Sequence, residues 1–242
     1  MDRAAPYSLI DIGANLNSHH FKNEELDDVV SRAKAAECVS LGECGLDFNR
    51  NFSPPADQLK AFEAQVDLAC ELQKPLFVHE REAHEDLVKI LTKRRQNPLP
   101  PVVVHCFTGT WDEAKSYLDF GFYIGLTGFL WKDKLENGVK YMLKNQLLPL
   151  DRLLIETDAP YMFPNVKAKK LRNELKSLES NSTSTAISDH AEHFLNNFCN
   201  FDRNEPCSLA ATCELIAAFW NRTPEEVARR TTENARKFYG FC

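Results

Sequence analysis

The sequence predicts an α/β fold in which strands and helices alternate along one chain, and two observations carry that prediction. Short apolar segments of strand length recur along the chain, rich in Val, Ile, Leu and Phe. The stretches between them place apolar residues at helical spacing. Repeated β-then-α units build a parallel sheet covered by helices, and 242 residues, 43% of them hydrophobic, suffice for its core.

Strands are expected at SLIDIGANL (8–16), CVSLGECGLD (38–47), PLFVHE (75–80), PVVVHCF (101–107), FYIGLTGF (122–129) and RLLIETDAP (152–160). Helices fit between them. In PPADQLKAFEAQVDLACELQ, Leu59, Phe62, Val66 and Ala69 recur on one helical face, and the two prolines suit a helix start. The last helix is the best marked: Thr223 is an N-cap, Pro224 the first helical residue, Glu226 a capping-box acid, and Gly240 a C-terminal stop. Residues 165–202 break the pattern. They hold the run KAKKLR and then SLESNSTSTAISDH, a polar stretch expected as a surface excursion, or solvated loop, from a single domain spanning 1–242.

A net charge of −6 argues against a strong sequence-independent hold on nucleic acid through a basic surface. An anionic substrate would need local charge from a metal or from a few basic side chains. No apolar run approaches the roughly 20 residues of a membrane span, and the N-terminus has no signal-peptide pattern, so the expected address is cytoplasmic or nuclear, without a membrane partner. The eight cysteines form no C-x-x-C pair, and Cys44, Cys70 and Cys106 fall in apolar segments, as reduced structural thiols do.

The stretch SLGECGLDFNR places two carboxylates, Glu43 and Asp47, among glycines where more packing residues would be expected. Burying a polar group without a partner costs roughly 2–7 kcal/mol, and more for a charge, so these carboxylates need partners. Strand after strand ends in a group that can hold a metal: Glu43, His79, His105 and Asp158. In a (β/α) barrel all such strand ends open onto one face. Carboxylate oxygen and imidazole nitrogen together suit Zn, Mn or Mg, and Gly42 and Gly45 would let the backbone turn tightly beside the ion. The bland readings stand beside these. A single histidine is more often hydrogen-bonded than metal-bound, Asp47 could be a turn residue, and only one of Glu156 and Asp158 is expected to face the barrel mouth. His19, His20, His84, His190 and His193 fall in expected helix or loop and take no role.

GECGLDFNRNFS, VVHCFTGT, YIGLTG, LLIETDAPY and RNEP, in that order, resemble the TatD family of metal-dependent deoxyribonucleases, a branch of the amidohydrolase-like TIM barrels. The resemblance implies metal-assisted hydrolysis of DNA phosphodiester bonds with exonuclease action. It implies that Glu43 binds or bridges metal, that His79 and His105 are ligands, and that Asp158 is a ligand that also orients the attacking water. Arg81, the KAKKLR run and Arg203-Asn204-Glu205 would bind phosphate or hold the site's shape. Two departures stand out. Gly13 and Asn15 occupy the positions where many relatives of the wider group carry an H-x-H pair, leaving one metal site short of ligands. The chain also passes directly from AKAAE to CVSLGECG, where family members place two further βα units. The expected architecture is therefore a TIM-type (β/α) barrel that is incomplete, with about six of the usual eight units. Two other functions compete with the nuclease: a hydrolase of small esters, amides or phosphates on the same fold, and a shortened inactive form acting as a binding or regulatory partner.

Overall fold

The computed structural model describes residues 40–50, 52–179 and 204–241. The expected strand at 8–16, with Gly13 and Asn15, lies outside the described residues, as do Arg203, His19, His20, His190 and His193. The other five expected strands form as β1 (Leu41–Asp47), β2 (Leu76–Arg81), β3 (Val102–Val104), β4 (Tyr123–Leu126) and β5 (Leu153–Ile155). They pair in sequence order, β1-β2-β3-β4-β5, and every pair is parallel. Parallel neighbours require a crossover, and the described crossovers contain α1 (Pro55–Leu72), α2 (His84–Thr92), α3 (Trp111–Asp119) and α4 (Val139–Lys144). After β5 come α5 (Lys169–Glu179), α6 (Leu209–Trp220) and α7 (Pro224–Tyr239).

The alternation of side chains along each strand sorts the core into two faces. Leu76, Val78, Val102, Val104, Ile124, Leu126, Leu153 and Ile155 join the large cluster that also holds Phe62, Val66, Leu87, Tyr117 and residues of α6. Phe77, Val103, Tyr123 and Leu154 face the other way and pack with Ala235 and Phe238 of α7. His79 and His105 follow Phe77 and Val103 by two residues, so the register carries them to this second face, at the C-terminal ends of their strands.

The local signals act at both well-marked helices, except that the Glu226 carboxylate accepts from Arg222 Nη1 at 2.7 Å instead of closing the expected capping box. In α1, Phe62, Val66 and Ala69 are buried, and a proline opens the first turn. In α7, Thr223 Oγ1 accepts the Glu226 amide at 3.2 Å and Gly240 closes the helix at φ 72°. The KAKKLR run differs from the expected solvated loop. Its second half opens α5, where Leu171 and Leu175 are buried against the rest of the chain while the lysines stay outside. Two leucines four apart suffice to dock one helical face, which a count of polar residues does not register. Among the described residues no helix is long and apolar enough to cross a membrane.

Candidate metal centre

The glycines of β1 decide how close the first two strands come. A Cβ on Gly45, whose φ is +148°, would lie 1.9 Å from the His79 carbonyl oxygen, and one on Gly42 would lie 2.6 Å from Phe77. They admit the close approach of β2 more than they turn the backbone around an ion. The result is that Glu43 meets the ends of β2 and β3. Glu43 Oε1 stands 3.0 Å from His79 Nδ1 and 2.9 Å from His105 Nε2, and the two ring nitrogens are 3.2 Å apart. One atom from each of these three residues falls within a 4.8 Å cluster.

A carboxylate lies behind each imidazole. His79 Nε2 is 3.3 Å from Asp47 Oδ2, and His105 Nδ1 is 3.4 Å from Glu156 Oε2. Glu156 is fully buried, and its other oxygen accepts the Cys106 amide at 2.6 Å. Neither His105 Nδ1 nor Glu156 Oε2 has a well-formed hydrogen bond, so their pairing is an ion contact. Asp47 is also the turn residue it resembles, because Oδ1 accepts the amides of Asn49 and Arg50.

The electrostatics follow from this crowding. Burial raises the Glu43 carboxyl, but the hydrogen bonds and charges of His105 and His79 outweigh it and hold the group well below the usual carboxylate range. Burial lowers His105, and the charge of Glu156 with the hydrogen bond and charge of Glu43 overcomes that to push it up to about 10. Burial, with the charges of Asp158 and Glu156, drives the Cys106 thiol well above its ordinary range, which favours the neutral thiol.

The residues present fit a divalent cation. One carboxylate oxygen and two imidazole nitrogens converge, the nitrogens held by carboxylates on their far sides as ligating histidines usually are. Their 2.9–3.2 Å separations approach the spacing of about 3.3 Å between ligands that bonds of 2.0–2.1 Å give in a tetrahedral site.

Asp158 stands outside this trio. It follows β5 at φ 50°, and its carboxyl hydrogen-bonds the Cys106 thiol. Burial raises it, His105 lowers it, and Glu156 and Glu43 raise it again, to about 6. The expectation that only one of Glu156 and Asp158 faces the site is corrected here. Glu156 reaches His105 directly from the end of β5, and Asp158 reaches it from a left-handed turn at φ 50°, where strand alternation no longer applies. The loop that carries Asp158 is held by Asn204, whose Nδ2 donates to the carbonyls of Thr157 at 2.9 Å and Tyr161 at 2.6 Å. Asn204 thus ties RNEP to the loop that carries Asp158. Asp47 and Glu156 are the functional neighbours that motif reading leaves without a role. Their one available signal is the presence of carboxylates beside glycine or β-strand apolar residues, where solvation is lost.

Residues 12–240 match the TatD related DNase family. The chain belongs to that family. It is 37% identical over 229 residues to the 3′-5′ ssDNA/RNA exonuclease TatD of Erwinia billingiae, covering 93% of this chain and 76% of the relative. It is 34% identical to the protein of the same name from Citrobacter koseri, covering 93% of this chain and 75% of that one. The crystal structure of a TatD family hydrolase from Entamoeba histolytica superposes with a TM-score of 0.63 at 24% identity, over 93% of this chain and 71% of that chain. This TatD chain thus has the fold of a TIM-type barrel in an incomplete form, and its match spans about three quarters of the length of these relatives.

Proposed function

We propose that this TatD chain is a metal-dependent nuclease that hydrolyses phosphodiester bonds in DNA and removes nucleotides from a strand end. The observation that carries the reading is the convergence of Glu43, His79 and His105 at the ends of three adjacent parallel strands, in a chain whose relatives bear the name of an exonuclease. Glu43, His79 and His105 would hold the ion. Two imidazoles with one carboxylate favour Zn or Mn over Mg, which prefers an all-oxygen shell. When bound there, such a cation would supply Lewis acidity to the phosphoryl oxygens and lower the pKa of water. The protein's own part is orientation and proton handling. Asp47 and Glu156 fix the ring planes of the two histidines, and Asp158 orients the attacking water and accepts its proton. Burial of His105 and Glu156 excludes bulk solvent from the inner side of the site.

The test is hydrolysis of an end-labelled single-stranded DNA oligonucleotide in Zn, Mn or Mg, with a chelator control and an RNA oligonucleotide of the same sequence beside it. Cleavage lost in chelator, and lost in Glu43→Ala and His105→Ala, supports the reading. A chain that cleaves neither DNA nor RNA with any of the three metals overturns it.

A further inference from the structure

The loop between β1 and α1 carries a feature that the hydrolytic chemistry does not use. Phe52 is 88% exposed, the most exposed large apolar side chain among the described residues. Such a ring on a slack loop would be unremarkable, but the described residues at the two ends of this loop are held. Gln58 of α1 accepts the Asp47 amide at 2.8 Å and donates to the carbonyls of Asp47 at 2.9 Å and Ser53 at 2.8 Å, tying both ends of the loop to one helix. Asp47 Oδ2 binds Arg50 Nε at 2.6 Å while it contacts His79 Nε2. The Arg50 guanidinium lies 5.9 Å from the centre of the Phe52 ring. A continuous series of contacts therefore runs from a metal-facing histidine, through Asp47 and Arg50, to an open aromatic face.

The neighbouring loop adds a second cation. Arg81 ends β2 two residues after His79, is exposed, and has no side-chain partner among the described residues. The two loops are joined where Phe48 donates its amide to the Arg81 carbonyl at 3.0 Å and where Asn49 Nδ2 donates to Glu82 Oε1. An open ring with one guanidinium beside it and a second on the adjoining loop matches the two surfaces of a nucleotide, the π face of its base and the charge of its phosphate. Net charge elsewhere is negative, so these local cations do what the overall surface does not.

We propose that Phe52 is a stacking platform for the nucleobase next to the cleaved phosphodiester, with Arg50 and Arg81 facing the adjoining backbone phosphates. The proposal rests on the nuclease reading and assigns to one residue a preference for single strands that the names of the relatives already suggest. A base already paired and stacked in a duplex has no free face to offer Phe52, so the platform selects unpaired ends.

The experiment compares wild type, Phe52→Ala and Phe52→Trp on two internally labelled single-stranded DNA oligonucleotides in Mn. One is intact and the other has abasic residues at both ends. KM is read from cleavage and Kd from anisotropy. Phe52→Ala is expected to raise both constants about tenfold on the intact strand, and far less on the abasic one, with Phe52→Trp restoring the intact value. The melting temperature should not move, because the ring is exposed. Arg81→Gln should flatten the dependence of log Kd on log salt by about 0.7, the share of one phosphate contact on a single strand. Equal effects on both strands, no effect on the intact strand, or a lowered melting temperature would overturn the platform. A wild type that cleaves neither strand counts against the nuclease reading instead, while the comparison of Kd values still decides the role of Phe52.

Discussion

Glu156 is a buried carboxylate whose surroundings give it two tasks, accepting the Cys106 amide with one oxygen and facing His105 Nδ1 with the other. Glu156→Gln keeps the volume and an acceptor but removes the charge that orients the imidazole. Metal affinity, followed by calorimetric titration with Zn or Mn, should fall about 10- to 100-fold, as it does when the partner behind a ligating histidine is lost. Unchanged affinity would mean that packing alone sets the ring. Gly125 guards the same contact from β4, since a Cβ there would lie 2.6 Å from Glu156 Oε1 and 3.1 Å from the His105 Cα. Gly125→Ala should therefore cost about 1–3 kcal/mol in denaturant unfolding and weaken metal binding as well, whereas an effect on neither would show that the strand can yield. These residues also mark how far the sequence could be read. Glu43, His79 and His105 stand out because each interrupts or ends an apolar run, where a polar group is conspicuous. The contact of Cys106 with Glu156 spans 50 positions and that of His79 with Asp47 spans 32, and a carboxylate behind a histidine leaves no local pattern at such separations.

Elements were legible where local chemistry decides them and obscure where packing does. The prolines at the start of α1 and the Thr223 cap of α7 act within one turn, so they are visible in sequence. Helix α5 depends on distant partners. Leu171 and Leu175 are buried, and Glu174 bonds Lys140 at 3.0 Å and Lys144 at 2.8 Å on α4. Burial tends to raise the Glu174 carboxyl, but hydrogen bonds and charge from Lys144 and Lys140 outweigh that and lower it. A carboxylate whose folded pKa is depressed contributes stability that is present above its unfolded pKa, near 4.3, and is lost as pH falls through the folded value. Glu174→Gln should accordingly lower the melting temperature at pH 6–7 by a small amount, given the partial exposure of the pair. The gap between variant and wild type should then close as the pH is lowered from about 5 towards 3. A gap that stays constant across that range would assign the loss to packing instead of charge.

At the scale of the molecule, the described strands form an open run from β1 to β5, and a (β/α) barrel of the usual kind closes only when strand number, tilt and shear agree at eight. The trio is assembled from β1, β2 and the residue after β3, three neighbours on one side of that run, so its geometry does not depend on closure. This separation of site from closure has a measurable consequence. Glu43, His79 and His105 crowd one carboxylate against two imidazoles in the folded state alone, so an ion that binds them stabilises only that state. At a free metal concentration 100 times its Kd the gain is about 2.7 kcal/mol, which for a domain of this size is a rise of about 5–10 °C in the unfolding midpoint. Zn or Mn added to chelator-treated protein should produce that rise, and His105→Ala, which removes one ligand and leaves Glu156 buried without its counter-charge, should melt lower and lose the metal response. A cooperative melt in wild type with no shift at saturating metal would show that the three strand ends, although brought together, need the rest of the barrel to bind an ion.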